Sequence, residues 1–245
     1  MKNFFQGVKA VVLDVDGTLF TLRESLGRSY SDVLGGLGII ADERSLDASC
    51  RTTWRAFQDE YLNVAGNFST SHEREESVWK EFVRRVLEGA GVECSAELRE
   101  RAIDEIYNSF ARGVTRRVGV GAEQFLSAMK QLGLPVIAAT NNDRRTAQVV
   151  RELGLSSHFE HLFVSGDLAW KKPSPNFFLE IAKRVGFPAV ELLHVGNDHN
   201  LDVLAARKAG LQAIQFGVEA PGVDDMVVRD FAELSGVLLG GPSQS

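Results

Sequence analysis

Two aspartates one residue apart, Asp14 and Asp16, follow the apolar run at the start of AVVLDVDGTLF, residues 10–20. Residues two apart in an extended chain project to the same side, so both carboxylates can face one pocket. Gly17 lets the backbone turn tightly and Thr18 adds a hydroxyl. Two carboxylates so close repel each other and raise one pKa unless a cation sits between them. Oxygen ligands on an accessible loop favour Mg²⁺, which keeps waters and shares its shell with a substrate phosphate. Taken alone, the same residues also describe a strand end followed by an Asp-Gly turn. The other strand ends decide between the two readings.

A second apolar run ends in Thr140, Asn141 and Asn142, a hydroxyl and two amides that can hold a phosphoryl oxygen. In SGDLAWKKPSPNFF, Lys172 stands before Pro173 near the start of a helix, where its charge can neutralise carboxylates and hold an anionic intermediate. In VGNDHNLD, Asn197, Asp198 and Asp202 occupy a loop that leads into another helix. Each residue has a plain alternative as a helix cap, a turn former or a surface charge. One side chain of each required kind at successive strand ends favours phosphoryl chemistry.

The elements that must position these residues are five short apolar runs: 10–13, 134–139, 161–164, 192–195 and 212–216. Continuous rather than alternating apolar residues suit strands covered on both faces, as in a parallel sheet. Helical patterns follow at about 122–132, 144–153, 175–185 and 201–209, with Gly133, Gly154, Gly186 and Gly210 at the expected stops. The fold class is α/β, a Rossmann-like doubly wound parallel sheet. The segment from Thr21 to Gly113 has no convincing strand and reads as helix after helix. In SHEREESVWKEFVRRVLEGAG, Ser71 is the N-cap, Val78, Phe82, Val83, Val86 and Leu87 form the stripe, and Gly89 and Gly91 mark the stop. Residues 1–20 and 114–245 therefore read as two segments of one core, interrupted by a helical module at 21–113, which is longer than a crossover requires.

These motifs resemble those of the haloacid dehalogenase-like superfamily of hydrolases, most of which are Mg²⁺-dependent phosphatases. DVDGT is similar to the first motif, TNN to the second, Lys172 in KKPSP to the third and GNDHNLD to the fourth, and the resemblance covers nearly the whole chain. It implies that the helical module is the family's cap between the first two motifs. It further implies Asp14 as nucleophile forming an aspartyl-phosphate, and Asp16 as the acid and base serving the leaving group and then water. Mg²⁺ is implied on the Asp14 carboxylate, the Asp16 carbonyl and an acid of the fourth motif. Thr140 and Asn141 are implied to hold the phosphoryl group, Lys172 to stabilise the intermediate, and Asp202 to support Lys172 or a metal-bound water. The residue after the fourth motif's glycine is often Asp in the family. Here it is Asn197, so Asp198 is taken as the metal ligand, with the Asn197 amide oxygen as the alternative.

The namesake dehalogenases of that superfamily need no metal and lack the second acid, so Asp16 argues for phosphoryl transfer. A phosphosugar mutase keeps the same core motifs, and a non-catalytic phosphate-binding or scaffold protein can stand on the same fold. Substrate choice is expected in the cap, which excludes water on closing. Phe20 and Arg23 are candidates to line the cleft, Arg23 to meet a second anionic group, although it also reads as a surface residue. GVGAEQ at 119–124 lacks the third glycine of a dinucleotide loop and reads as a loop entering a helix. Trp54 and Trp79 read as packing anchors, and His194 as a structural histidine.

Composition bounds the remaining classes. The 245 residues are 44% hydrophobic and 24% charged, values of an ordinary globular protein. The net charge of -6 argues against nucleic-acid or anionic-membrane partners and leaves a phosphorylated small molecule as the expected one. Cys50 and Cys94 are too few for a disulfide framework. MKNFFQGVKA lacks a signal-peptide pattern and no apolar run has the length of a bilayer span, so the cytoplasm is the expected location. The oligomeric state is left open. GGPSQS at the end reads as disordered.

Overall fold

The computed structural model describes residues 7–63, 67–217 and 226–239; the GGPSQS tail lies outside them. β1 (Ala10–Leu13) is followed by β2 (Phe20–Leu22) and then by α1 (Leu26–Gly36), α2 (Glu43–Asn63), α3 (His72–Gly89) and α4 (Ala96–Ser109). The chain returns through β3 (Arg116–Val118), α5 (Ala122–Gln131), β4 (Val136–Thr140), α6 (Arg145–Glu152), β5 (His161–Val164), α7 (Ser165–Leu168) and α8 (Pro175–Val185). It ends with β6 (Leu192–Gly196), a π-helical turn at His199–Leu204, α9 (Ala205–Lys208), β7 (Gln212–Phe216), β8 (Val227–Val228) and α10 (Phe231–Leu239).

Six strands form one sheet in the order β5-β4-β1-β6-β7-β8, every pair parallel. The chain winds outward from β1 on one side and then returns to its other side, the doubly wound order. A ligand crevice is expected where that order reverses, at the carboxyl ends of β1, β4 and β6. Alternation along β1 explains the two cores: Val11 and Leu13 join Phe125, Leu126 and Ile214 on one face, while Ala10 and Val12 join Phe177, Phe178 and Ile181 on the other. α8 shows how local chemistry bounds an element. Ser174 caps it by accepting from the Asn176 N–H, Pro175 opens it, and Gly186 ends it in the left-handed region at φ 75°.

Helices α1 to α4 enclose a third core containing Leu34, Leu46, Phe57, Phe82, Val86 and Ile103. Ser25, Ser71 and Ser95 cap α1, α3 and α4, each accepting a backbone N–H three residues on. Among the described residues no helix is long and apolar enough to cross a membrane.

Three features depart from the sequence reading. First, β2 and β3, three residues each, pair antiparallel at the base of the helical module, with Phe20 opposite Val118 and Leu22 opposite Arg116. Second, β8 extends the sheet by only two residues. Third, the helix expected at 201–209 begins as the π-helical turn, with the Asp198 carboxylate accepting from the N–H groups of Asn200 and Leu201. Such turns are frequent at functional sites.

Candidate functional site

Asp14 leaves the carboxyl end of β1 and is 4% exposed. Its Oδ1 lies 2.6 Å from Lys172 Nζ, and its Oδ2 accepts from the Thr18 hydroxyl at 2.9 Å. Lys172 Nζ also donates to Asp202 Oδ1 at 2.6 Å. Asp202 is held in turn by His194 Nε2 at 3.0 Å and by the Asp198 N–H at 2.9 Å. The Asn141 side chain brackets Lys172: its Oδ1 accepts from the Lys172 N–H at 2.6 Å and its Nδ2 donates to the Lys172 carbonyl at 2.8 Å. Both ends of that amide are thus engaged in placing Lys172. Beside it, Thr140 Oγ1 accepts from the Asn142 N–H, which leaves its O–H free to turn toward a ligand.

Two buried carboxylates share one buried ammonium. Burial pushes the Asp14 carboxyl up to about 7 and the Asp202 charge adds to this, against the pull of Lys172 and Thr18. Burial also resists ionisation of Asp202, but Lys172 and His194 outweigh it and hold that carboxyl below the usual range. Lys172 pays for burial yet stays above its ordinary value because Asp14 and Asp202 flank it. Burial lowers His194 despite Asp202 beside it. Once Asp14 is ionised the cluster holds one more negative charge than positive, and Asp14 is the group left under-compensated.

Asp16 has different surroundings. Its side chain is 39% exposed, and its Oδ2 accepts from Asn142 Nδ2 at 2.9 Å. The Arg116 Nε lies 3.7 Å from Asp16 Oδ1, near enough for attraction and too far for a hydrogen bond. Gly17, at φ 90°, makes the turn between the acids and the rest of the loop, and a Cβ there stands 2.9 Å from the Asn197 amide atoms. Gly17→Ala is expected to destabilise the protein by about 1–3 kcal/mol through both conflicts. Thermal unfolding checks this.

The Thr18 hydroxyl lies 3.2 Å from Asn197 Oδ1, which brings Asn197 against the first motif. Asp198 reaches the same cavity, with one carboxylate oxygen engaged in capping the π-helical turn. Among the described residues no group of three or more His, Cys, Asp or Glu is arranged to hold a metal. The candidate oxygens are those of the Asp14 carboxylate, which Lys172 and Thr18 already touch, the Asp16 carbonyl, and Asn197 or Asp198. This all-oxygen set, beside an excess negative charge, fits a hard dication that keeps much of its water.

These residues floor a cavity of about 430 Å³ between the sheet and the helical module. Asp14, Asp16, Thr140, Asn141, Lys172, Asn197, Asp198 and Asp202 all border it. Phe20 and Arg23 do not border it among the described residues. Phe20 is buried in the core with the Arg116 guanidinium over its ring, and Arg23 is exposed, its N–H bonded to the Thr115 carbonyl. The opposite wall is aromatic: Trp54, Trp79, Tyr107 and Phe110, assigned to packing or passed over in the sequence, all face it together with Arg116. Aromatic pairs at helical spacing, Trp79 with Phe82 and Tyr107 with Phe110, were the available signal.

A buried ion pair joins the two parts of the molecule next to Lys172. Lys171 Nζ lies 2.8 Å from Glu75 Oε1, with the side chains 2% and 0% exposed, and 3.7 Å from the centre of the Tyr61 ring. The Tyr61 hydroxyl is 2.9 Å from both Glu75 Oε2 and the Asn141 carbonyl, and Thr70 donates to Glu75. Burial lowers the Lys171 ammonium, with Glu75 opposing it. Lys171→Met strands a buried carboxylate, and a loss of about 3–5 kcal/mol is expected in chemical denaturation. Adding Glu75→Gln recovers much of it, because the two changes are strongly non-additive.

The chain is 29% identical over 223 residues to a human protein named haloacid dehalogenase-like hydrolase domain-containing protein 3, covering 91% of this chain and 86% of that one. It is 34% identical over 218 residues to the phosphoglycolate phosphatase of Neisseria gonorrhoeae, covering 87% and 82%. Among solved structures, a magnesium-bound HAD-hydrolase from Bacillus subtilis superposes with a TM-score of 0.73 at 19% identity, over 96% of this chain and all 100% of that one. A 2-haloacid dehalogenase from Pseudomonas syringae pv. Tomato gives 0.66 at 21%, over 96% and 100%. At such identities the structural likeness speaks for the fold. The family model for haloacid dehalogenase-like hydrolases matches residues 8–210, and the chain belongs to that family.

Proposed function

We propose that the protein is a Mg²⁺-dependent phosphatase that hydrolyses a small phosphate monoester through an aspartyl-phosphate. The observation that carries this reading is the pairing of Asp14 with Lys172 at 2.6 Å, with Asp16 two residues away on the same cavity. The Asp14 carboxylate attacks phosphorus while Asp16 gives its proton to the departing alkoxide. Asp16, now a carboxylate, then takes a proton from the water that cleaves the acyl-phosphate. Lys172 offsets the charge on Asp14, and the Thr140 hydroxyl is placed to donate to the phosphoryl group. When bound, Mg²⁺ supplies further charge compensation, held by the Asp14 carboxylate, the Asp16 carbonyl and Asn197 or Asp198. The helical module at 21–113 acts as the cap, set between core segments 1–20 and 114–245.

A halide leaves without a proton, whereas an alkoxide needs one. Asp16, hydrogen-bonded by Asn142 and open to the cavity, supports the phosphatase over the dehalogenase reading. The phosphatase name of the Neisseria gonorrhoeae relative points the same way.

The test is phosphate release from 4-nitrophenyl phosphate and a panel of small esters, with Mg²⁺ and with EDTA. Turnover that requires the metal is expected, and Asp16→Asn should lower kcat by on the order of 10²–10⁴-fold on alkyl esters, whose leaving oxygens most need protonation. Halide release from 2-chloropropionate without release of phosphate from any ester overturns the reading.

A further inference from the structure

The cavity is larger than the phosphoryl site requires, and the space beyond Asp16 is walled mainly by the helical module. Trp54 and Trp79 lie parallel within 3° at 6.2 Å between centroids, and the indole of Trp54 is close to Tyr61 and Phe82. Tyr107 and Phe110, from the last turn and end of α4, continue the same wall. A cavity of about 430 Å³ has room for a ligand with a bulky apolar part.

The polar groups of this wall are selective in kind. Arg145 is committed, its guanidinium 3.6 Å from the Tyr107 ring centre and its Nε bonded to Asp143. Two buried polar atoms of cavity-lining residues have no hydrogen-bond partner among the described residues: Trp79 Nε1 and Arg116 Nε. Both atoms are closed off from the cavity by their own burial, so what the wall presents to a ligand is its apolar ring surface. Arg116 also brings positive charge to the side of the cavity where the leaving group must lie, beside Asp16.

We propose that the leaving group is a bulky aromatic alcohol, seated against Trp54, Trp79, Tyr107 and Phe110. This rests on the phosphatase reading and specifies its substrate class. Water cleaves the ester overall: the P–O bond to the alcohol breaks, the water oxygen ends on phosphate, and the alcohol oxygen keeps the proton from Asp16. A small polar ester leaves the aromatic wall against water and forgoes the apolar burial that the aromatic one gains.

The experiment compares kcat/KM for 2-phenylethyl phosphate, ethyl phosphate and phosphoglycolate. The first two release alkyl alcohols of similar basicity, so a difference between them reports the cavity rather than the chemistry. An advantage on the order of tenfold or more for the phenylethyl ester over both others is expected. Trp54→Ala, at the 37% exposed end of the wall, should reduce the advantage severalfold. Equal turnover of the phenylethyl and ethyl esters, or a preference for phosphoglycolate, overturns the inference and leaves the phosphatase standing. If no ester is turned over, 4-nitrophenyl phosphate included, the phosphatase reading fails. Tryptophan fluorescence titration with 2-phenylethylphosphonate and ethylphosphonate then decides the cavity's preference: tighter binding of the aromatic compound by tenfold supports it, and equal binding refutes it.

Discussion

Asp14→Asn is expected to abolish phosphate release, with kcat reduced on the order of 10⁴-fold or more, while the protein stays folded. The change is nearly isosteric, so the sheet and the Thr18 contact can persist, but an amide cannot serve as the attacking carboxylate. Stability should move the other way. Burial pushes the Asp14 carboxyl of the folded protein up to about 7, from an ordinary value of 3.8. Metal-free native protein therefore binds more protons at this site than the unfolded chain does across roughly pH 4–7. Its stability falls as pH rises through that window, and above it the ionised Asp14 is a net cost. Asn resembles the protonated form and carries no such dependence. In EDTA, the Asp14→Asn variant should melt above wild type at pH 8, with the gap closing toward pH 4. A variant that melts lower at pH 8 would show that Asp14 is stabilised, not strained, by its surroundings. Added Mg²⁺ should raise the melting temperature of wild type more than that of the variant, since the carboxylate that compensates the metal is missing.

Lys172→Ala is expected to weaken the fold and catalysis together. It removes the one ammonium within 2.6 Å of both Asp14 and Asp202 and leaves two buried carboxylates facing a gap. The expected loss is about 3–5 kcal/mol, with catalysis falling by several orders of magnitude. The pH dependence carries a signature. In wild type Asp202 is held below its usual range, so its contribution is present above the unfolded pKa and lost as pH falls through the folded one. Without Lys172 the burial of Asp202 is poorly opposed, its pKa rises, and the variant is relatively less destabilised at pH 5 than at pH 8. Urea denaturation of both proteins at both pH values measures this. Replacing Asp202 by Asn in the same background should recover part of the loss, because one stranded charge is then gone.

The parts of the molecule that were legible in sequence are those whose cause is local. β1 and β5 coincide with their apolar runs, and α8 coincides with its pattern because Ser174, Pro175 and Gly186 punctuate it. The β2–β3 ribbon escaped since each strand has three residues, and its pairing joins segments on either side of the helical module. The π-helical turn escaped because its residues satisfy an ordinary helical period. In the site, residue types announced acids, amides and a lysine at strand ends, but not their targets. That Asn141 places the Lys172 backbone, and that Asn197 rather than Asp198 meets Thr18, are facts of tertiary distance. Trp54 and Trp79 show the same limit: a tryptophan on an amphipathic helix reads as packing until the opposite wall is in place.

The antiparallel ribbon at the base of the helical module bears on how the chain finds its fold. Val11 must pair with Val136, and the whole module lies between them. A flexible segment of that length makes such pairing slow, because contacts distant in sequence are won only after the chain between them has been closed. Here the intervening helices have a core of their own, and β2 and β3 hold the two ends of that unit side by side. Once the helices condense, the effective loop between β1 and β4 shrinks to the turn before the ribbon and the α5 connection after it, and each halving of its length lowers the closure cost by about 0.6 kcal/mol. The insertion that separates the central strands in sequence thus becomes the splint that brings them together during refolding.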